Sequence, residues 1–209
     1  MEQIDIYNDN HEFIGVCDKN LAHKLGMWHE VFTCQFINLK KKTAIFQIKN
    51  HNHNNIHDKD LIEITVGGHY KSGEKISDGV REIKEESGLE VDFNELKYLG
   101  VRQVSTTVNP NYIVREFQHI YFYFTDKDAF ELTSVDDEVT EFIEFDIDEL
   151  IELLLQKREF IFGKTMNKNR KITLDNFVES YLKNDKLYLR LLIAAKRYIN
   201  KEDPELILW

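Results

Sequence analysis

The sequence predicts an α/β (α+β) protein, with a body of strands that includes two interior helices and a C-terminal helical extension. Three observations carry this. Strand-like runs rich in β-branched and aromatic residues recur from Ile4 to Asp146, two stretches with helical apolar spacing interrupt them, and the pattern becomes mostly helical after Thr173. At 209 residues the chain accommodates one principal domain, drawn as 1–163, and an appended segment, 164–209, packed on it.

The elements follow in order. Ile4 to Tyr7 and Glu12 to Val16 flank the turn cluster Asn8-Asp9-Asn10, the pattern of a hairpin. Val31 to Asn38 and Thr43 to Lys49 are further strands joined by the basic turn Lys40-Lys41-Lys42. Asn50 to Asp60 is polar apart from Ile56 and carries His51, His53 and His57. It reads as a solvated loop, because no cysteine or paired-histidine helix spacing accompanies those histidines. Leu61 to Val66 is a strand that runs into Gly67-Gly68. Ser77 to Ser87 has Val80 and Ile83 at helical spacing, Ser77 or Asp78 as N-cap, and Gly88 where a terminating glycine belongs. Leu96 to Val104, the aromatic-rich Val114 to Thr125, and Val139 to Asp146 are strands, and Ile147 to Lys157 is an acidic helix. Lys164 to Lys171 has the basic, polar composition of a linker, and Thr173 to Lys201 reads as helical segments.

Composition excludes several classes. A 42% hydrophobic content with 14 phenylalanines supports a packed core, and no run approaches the roughly 20 apolar residues of a membrane-spanning helix. Met1 to Asp5 lacks the basic and apolar regions of a signal peptide, so the expected location is cytoplasmic. Cys17 and Cys34 then read as small hydrophobes without a disulfide. With 37 acidic against 27 basic residues and a net charge of −10, the chain is unsuited to nucleic-acid polymers. An anionic substrate would need a cation to mediate.

Such a cation has a place to bind. Glu82, Glu85 and Glu86 occupy positions i, i+3 and i+4 of the predicted helix, so their carboxylates share a face. Like charges so spaced cost about 0.2–0.5 kcal/mol per pair unless neutralised. A hard divalent ion favours this oxygen geometry. Arg81 is placed to pair with Glu85, Gly67-Gly68 allows a tight turn, and Glu74 follows six residues after Gly68.

Gly68, Glu74 and the run Arg81-Glu82-Ile83-Lys84-Glu85-Glu86-Ser87-Gly88-Leu89 together resemble the signature of the Nudix hydrolases. Seven specified side chains match by accident on the order of once in 10⁸ starting positions. One spacing departs from the usual pattern, with six residues between Glu74 and Arg81 in place of seven. A gap-free register would start at Gly67 and put Gly73 in the place of Glu74. The resemblance implies a mixed sheet sandwiched between helices and cleavage of a diphosphate linkage in a nucleoside diphosphate derivative or similar small metabolite. It further implies Mg²⁺, with Mn²⁺ as a substitute, held by Glu82, Glu85, Glu86 and the Gly67 carbonyl. Arg81 would orient a glutamate, Glu74 would support the loop, and Glu85 would take part in catalysis.

Residues outside the signature complete the expectation. Glu116 is the candidate for an additional glutamate ligand or base, or else a solvent-facing charge near a strand end. Gly68 and His69 lie where substrate would bind. Tyr112 and Phe117 either stack on a planar group of the substrate or belong to the core. The run Asn8 to Gly15, with His23, Gly26, His29 and Phe32, also resembles isopentenyl-diphosphate isomerases of the same fold, which use histidines with glutamates for metal and a cysteine as acid. Gly67 stands where that cysteine would be. A non-catalytic Nudix-fold binding module is the third alternative, against which all the signature glutamates are present. The C-terminal extension leaves homodimerisation open.

Overall fold

The computed structural model describes residues 2–51, 59–135 and 138–203. His53 and His57 of the polar loop lie outside these, while His51 sits beside Asp60 at 2.6 Å.

Among the described residues eleven strands form one sheet. They are β1 (Gln3–Tyr7), β2 (Phe13–Asp18), β3 (Trp28–Asn38), β4 (Thr43–Lys49), β5 (Leu61–Glu63), β6 (Val66–His69), β7 (Leu96–Asn109), β8 (Tyr112–Phe124), β9 (Val139–Asp146), β10 (Ile161–Lys164) and β11 (Asn169–Ile172). The main path runs β11-β10-β9-β4-β3-β1-β2, with β5 on β4, β6 and β8 on β3, and β7 on β8. The β3–β8 pair is parallel and the remaining pairs are antiparallel, so the sheet is mixed. Among the described residues five α-helices accompany it: α1 (Lys19–Leu25), α2 (Val80–Ser87), α3 (Ile147–Leu154), α4 (Glu179–Lys183) and α5 (Leu187–Ile199).

Side-chain alternation along β4 divides the core. Ile45 joins Phe32, Val66 and Ile83 beneath α2, whereas Ala44 and Phe46 join Leu150 of α3 and Leu191 of α5 on the opposite face. Helices therefore cover both faces of the sheet, as the resemblance implied. The C-terminal extension packs on the main domain through Leu187, Tyr188 and Leu191, all fully buried, and the Tyr188 hydroxyl donates to the Ile62 carbonyl at 2.6 Å.

Four expectations change. The strand from Leu61 breaks at Ile64-Thr65, where the Thr65 hydroxyl accepts from the Phe36 amide at 2.9 Å and donates to the Ile45 carbonyl. The segment 164–171 is a hairpin that extends the sheet; its charges point outward from an edge, which gave it a linker's composition. The helix expected from Ser77 begins as a 3₁₀ turn, Ile76–Gly79, and becomes α-helical at Val80, while Gly88 ends it in the left-handed region as expected. Finally, α1 was not anticipated; Asp18 caps it by accepting the Leu21 amide, and Gly26 terminates it. No helix among the described residues is long and apolar enough to cross a membrane.

Candidate active site

Strand β6 sits between two clusters of polar side chains. Its Gly67 and Gly68 face the glutamates of α2, and its His69 faces a group of imidazoles. The chain bends into β6 at Thr65 and is then held against β3 by the register Thr33–Gly67, Phe32–Gly68 and Val31–His69.

The glutamate cluster is organised by Arg81. Its Nε donates to Glu74 at 3.0 Å, its Nη1 to Glu85 at 2.7 Å, and its Nη2 to Glu82 at 2.8 Å and to the His69 carbonyl at 3.3 Å. One guanidinium thus fixes three carboxylates, the geometry for which arginine is suited. Glu74, and not the neighbouring Gly73, supplies the carboxylate that meets Arg81 from the loop. Glu86 is buried, accepting the Gly67 amide at 2.9 Å and the Lys49 ammonium at 2.9 Å. Gly68 lies so close to Glu82 that an added Cβ would stand 2.1 Å from the carboxylate carbon, so any side chain there would displace the Glu82 carboxylate from its place on Arg81.

Electrostatics here favour a cation. Burial pushes the Glu82 carboxyl up to about 7 despite the Arg81 charge, with Glu86 and Glu85 adding repulsion. Burial likewise raises Glu86. Burial opposes the charge on Lys49, yet Glu86, Glu63 and Glu138 hold it protonated above the ordinary lysine range. The donor set is all oxygen, the cradle at Gly68 has no side chain, and the glutamates repel one another. These features fit a hard divalent ion held by Glu82, Glu85 and Glu86. Gly67 here offers its amide to Glu86, where the resemblance implied a carbonyl ligand.

The second cluster comprises His23 of α1, His29 of β3, His69 of β6 and Glu116 of β8, whose ligating atoms all lie within 4.8 Å of one another. The parallel register sets His29 directly beside Glu116, and α1 brings in His23. Carbonyl partners assign the tautomers: His23 Nδ1 lies 3.3 Å from the Ile113 oxygen and His29 Nδ1 2.8 Å from the Met27 oxygen. A carbonyl only accepts, so in the neutral rings both Nε2 lone pairs point into the cluster. His29 Nε2 is buried without a hydrogen-bond partner and lies 3.7 Å from Glu116, and His23 Nε2 is 3.0 Å from His69 Nε2. Burial pushes His23 down to about 4 and His69 well below the usual range, so both stay neutral. Burial works to raise Glu116, but His29, His69 and Gln118 outweigh it and hold it at about 2. Three imidazoles and a carboxylate converging on one point suit a transition-metal ion.

Other expected residues are placed differently. Glu116 is buried in this cluster and does not face solvent. Tyr112 stacks on His23 with ring centroids 4.2 Å apart, and Phe117 stacks on His11 at 3.9 Å and on Trp28 at 4.8 Å. Protein rings thus already stack on Phe117 from His11 and Trp28 and on one face of Tyr112. His119, on the opposite face of β8 from Glu116, joins His11 on Glu30 Oε1, and Tyr7 donates to Glu30 Oε2. Lys49 was missed because a lysine at a strand end carries no local signal. The isomerase-like histidines do converge, yet Gly67 occupies the position of the acid, Cys34 is buried and Cys17 is half-buried on β2.

The fold and the glutamate helix together define a catalytic domain class that comparison with known proteins identifies. The NUDIX domain family model matches residues 27–164. An uncharacterized Nudix hydrolase of Clostridium acetobutylicum is 32% identical over 202 residues, covering 92% of this chain and 97% of the relative. The chain belongs to the Nudix hydrolase family. A crystal structure of a Deinococcus radiodurans protein shares the fold, with a TM-score of 0.53 at 17% identity over 74% of this chain and 90% of that one.

Proposed function

We propose that the protein is a Mg²⁺-dependent pyrophosphohydrolase that cleaves the diphosphate linkage of a nucleoside diphosphate derivative or a similar small phosphorylated metabolite. The observation that carries this reading is the Arg81-centred array of Glu74, Glu82 and Glu85, with Glu86 beside it on the same helix. Arg81 holds the carboxylates in fixed rotamers, so they need little reorganisation to meet a charged substrate. Glu85, more exposed than Glu82 and Glu86, faces the substrate side. A divalent ion, when bound, supplies neutralisation of phosphate charge and a lowered pKa for the attacking water. Lys49 adds a fixed positive charge behind Glu86. Glu116, ionised across the neutral range, is the carboxylate outside the signature suited to serve as a further ligand or base.

A hydrolysis screen tests this. Purified protein is offered nucleoside di- and triphosphates, sugar nucleotides, dinucleotide cofactors and prenyl diphosphates, with Mg²⁺, Mn²⁺ or chelator. Metal-dependent release of phosphate, pyrophosphate or a nucleoside monophosphate is expected. Release of nothing from any of them under any metal would overturn the reading.

A further inference from the structure

We propose that the C-terminal extension supplies a positioning residue to the site: Asp185, acting through Arg102 and Gln118, fixes the carboxylate of Glu116. This rests on the reading of Glu116 as a working group of the proposed hydrolase. Asp185 lies two residues before α5 and beyond residue 164, where the match to the family domain ends.

The Arg102 side chain is 2% exposed, so its donors must find acceptors within the protein. Its Nε and Nη2 form a fork on Asp185 at 2.7 and 2.9 Å, and its Nη1 donates to Gln118 Oε1 at 2.6 Å. Gln118 in turn donates from Nε2 to Glu116 Oε2 at 2.6 Å. Only one orientation of this amide works, because the flipped one would set N–H against the guanidinium and oxygen against the carboxylate. The polarity therefore passes unbroken from Asp185 to Glu116.

Strand geometry makes the chain of contacts direct. Arg102 and Gln118 are register partners across β7 and β8, and Glu116 and Gln118, two residues apart, share one face of β8. With Oε2 held by Gln118, Glu116 turns Oε1 toward His29. At its far end Asp185 is secured by Arg190 at 3.0 Å, and Arg102 lies over the Tyr181 ring at 5.2 Å. A clasp that merely pinned the extension would need the Arg102–Asp185 fork alone. The contact with Glu116 is the part that such a role leaves unexplained.

The test uses the full chain carrying Gln118→Glu, Asp185→Asn or Asp185→Glu. Gln118→Glu keeps a partner for Arg102 but turns an acceptor toward Glu116; Asp185→Asn keeps shape and removes charge. Turnover, KM, thermal midpoint and Co²⁺ affinity with its visible spectrum are measured, with His29→Gln as the control for metal in the imidazole cluster. Both disrupting variants are expected to lose about 10–100-fold in kcat or Co²⁺ affinity, with KM changing less, and Asp185→Glu to restore most of it. Wild-type kcat and Co²⁺ affinity in both, with only the thermal midpoint lowered, would reduce the chain of contacts to a clasp and overturn the proposal. If Asp185→Asn does not fold, Gln118→Glu decides. An inactive wild type that still binds Co²⁺ through His29 sinks the hydrolase reading and leaves Co²⁺ affinity to judge the positioning role. If His29→Gln leaves the Co²⁺ spectrum unchanged, kcat alone judges it. With neither activity nor His29-dependent Co²⁺ binding, Glu116 has no task to be positioned for and the proposal falls.

Discussion

Arg81 and Glu74 are joined by two prongs, Nε to Oε1 at 3.0 Å and Nη2 to Oε2 at 3.3 Å, although one residue fewer than usual separates them in sequence. The 3₁₀ turn from Ile76 to Gly79 explains how. A 3₁₀ helix rises about 2.0 Å per residue against 1.5 Å in an α-helix, so four such residues gain about 2 Å and offset much of the missing residue. The shortened spacing is thereby absorbed before α2 begins, and the register of its glutamates is untouched.

Because Glu74 neutralises one side of a guanidinium that also carries Glu82 and Glu85, Glu74→Gln is expected to loosen the array without removing a ligand. The pair is mostly buried, and losing its charge is expected to cost about 1 kcal/mol of stability. Turnover should fall by about tenfold, less than for loss of a ligand. Urea unfolding and steady-state kinetics check both. A variant with unchanged midpoint and turnover would show that Arg81 needs only its helix partners.

The ligand variants should behave differently. Glu85→Gln keeps the Arg81 contact as a neutral hydrogen bond and leaves the core alone, since Glu85 is partly exposed. Turnover is expected to drop by about 100-fold or more, with circular dichroism and thermal midpoint near the wild-type values. Glu86→Gln should lose activity similarly but also change stability, because it takes from the mostly buried Lys49 ammonium one of its charged partners. Normal turnover in both would remove α2 from the chemistry.

What the sequence reveals about this molecule divides along the range of the interactions. Thr43 to Lys49 was legible as a strand because enrichment in β-branched and aromatic residues is local, and Gly88 as a helix end because its left-handed conformation is a property of one residue. The three glutamates of α2 were legible for the same reason. The break at Thr65 was hidden, since its hydroxyl binds Phe36 and Ile45, far away along the chain. The link between Arg102 and Asp185, 83 residues apart, has no local signature either. His23 and His29 were noticed together in the isomerase-like run and Glu116 separately, but only the parallel register of β3 with β8 and the docking of α1 join all three.

Protonation of Glu82 gives a prediction for metal binding. Its carboxyl is raised to about 7 in the metal-free protein, above the unfolded value of about 4.5, so below pH 7 a proton must leave when a cation takes its place. Mg²⁺ affinity should accordingly weaken as pH falls through 7. Calorimetric titration at pH 6 in buffers of different ionisation enthalpy should register proton release on Mg²⁺ addition, and Glu82→Gln should abolish that portion. A buffer-independent heat at pH 6 would contradict it. For the metal-free protein the sign is the same: the native state binds the extra proton between about 4.5 and 7, so this group's contribution to stability declines as pH rises through that window.

Gly79 offers a test of how closely the 3₁₀ turn leading into α2 must approach the sheet. In an exposed helix, replacing glycine by alanine stabilises by up to about 1 kcal/mol. Here an added Cβ would stand 2.4 Å from the Phe32 ring and 2.8 Å from the Tyr70 hydroxyl oxygen. Phe32 is fully buried and stacked on Tyr121, so its ring has nowhere to retreat. Overpacking should therefore outweigh propensity, and Gly79→Ala is expected to destabilise by about 1–3 kcal/mol. The displaced helix would also carry Glu82 and Glu85 away from Gly68 and Arg81, so turnover should fall alongside stability. Denaturant unfolding with kinetics on the same samples checks this, and a Gly79→Ala protein as stable as wild type would mean that the helix can lift from the sheet without cost.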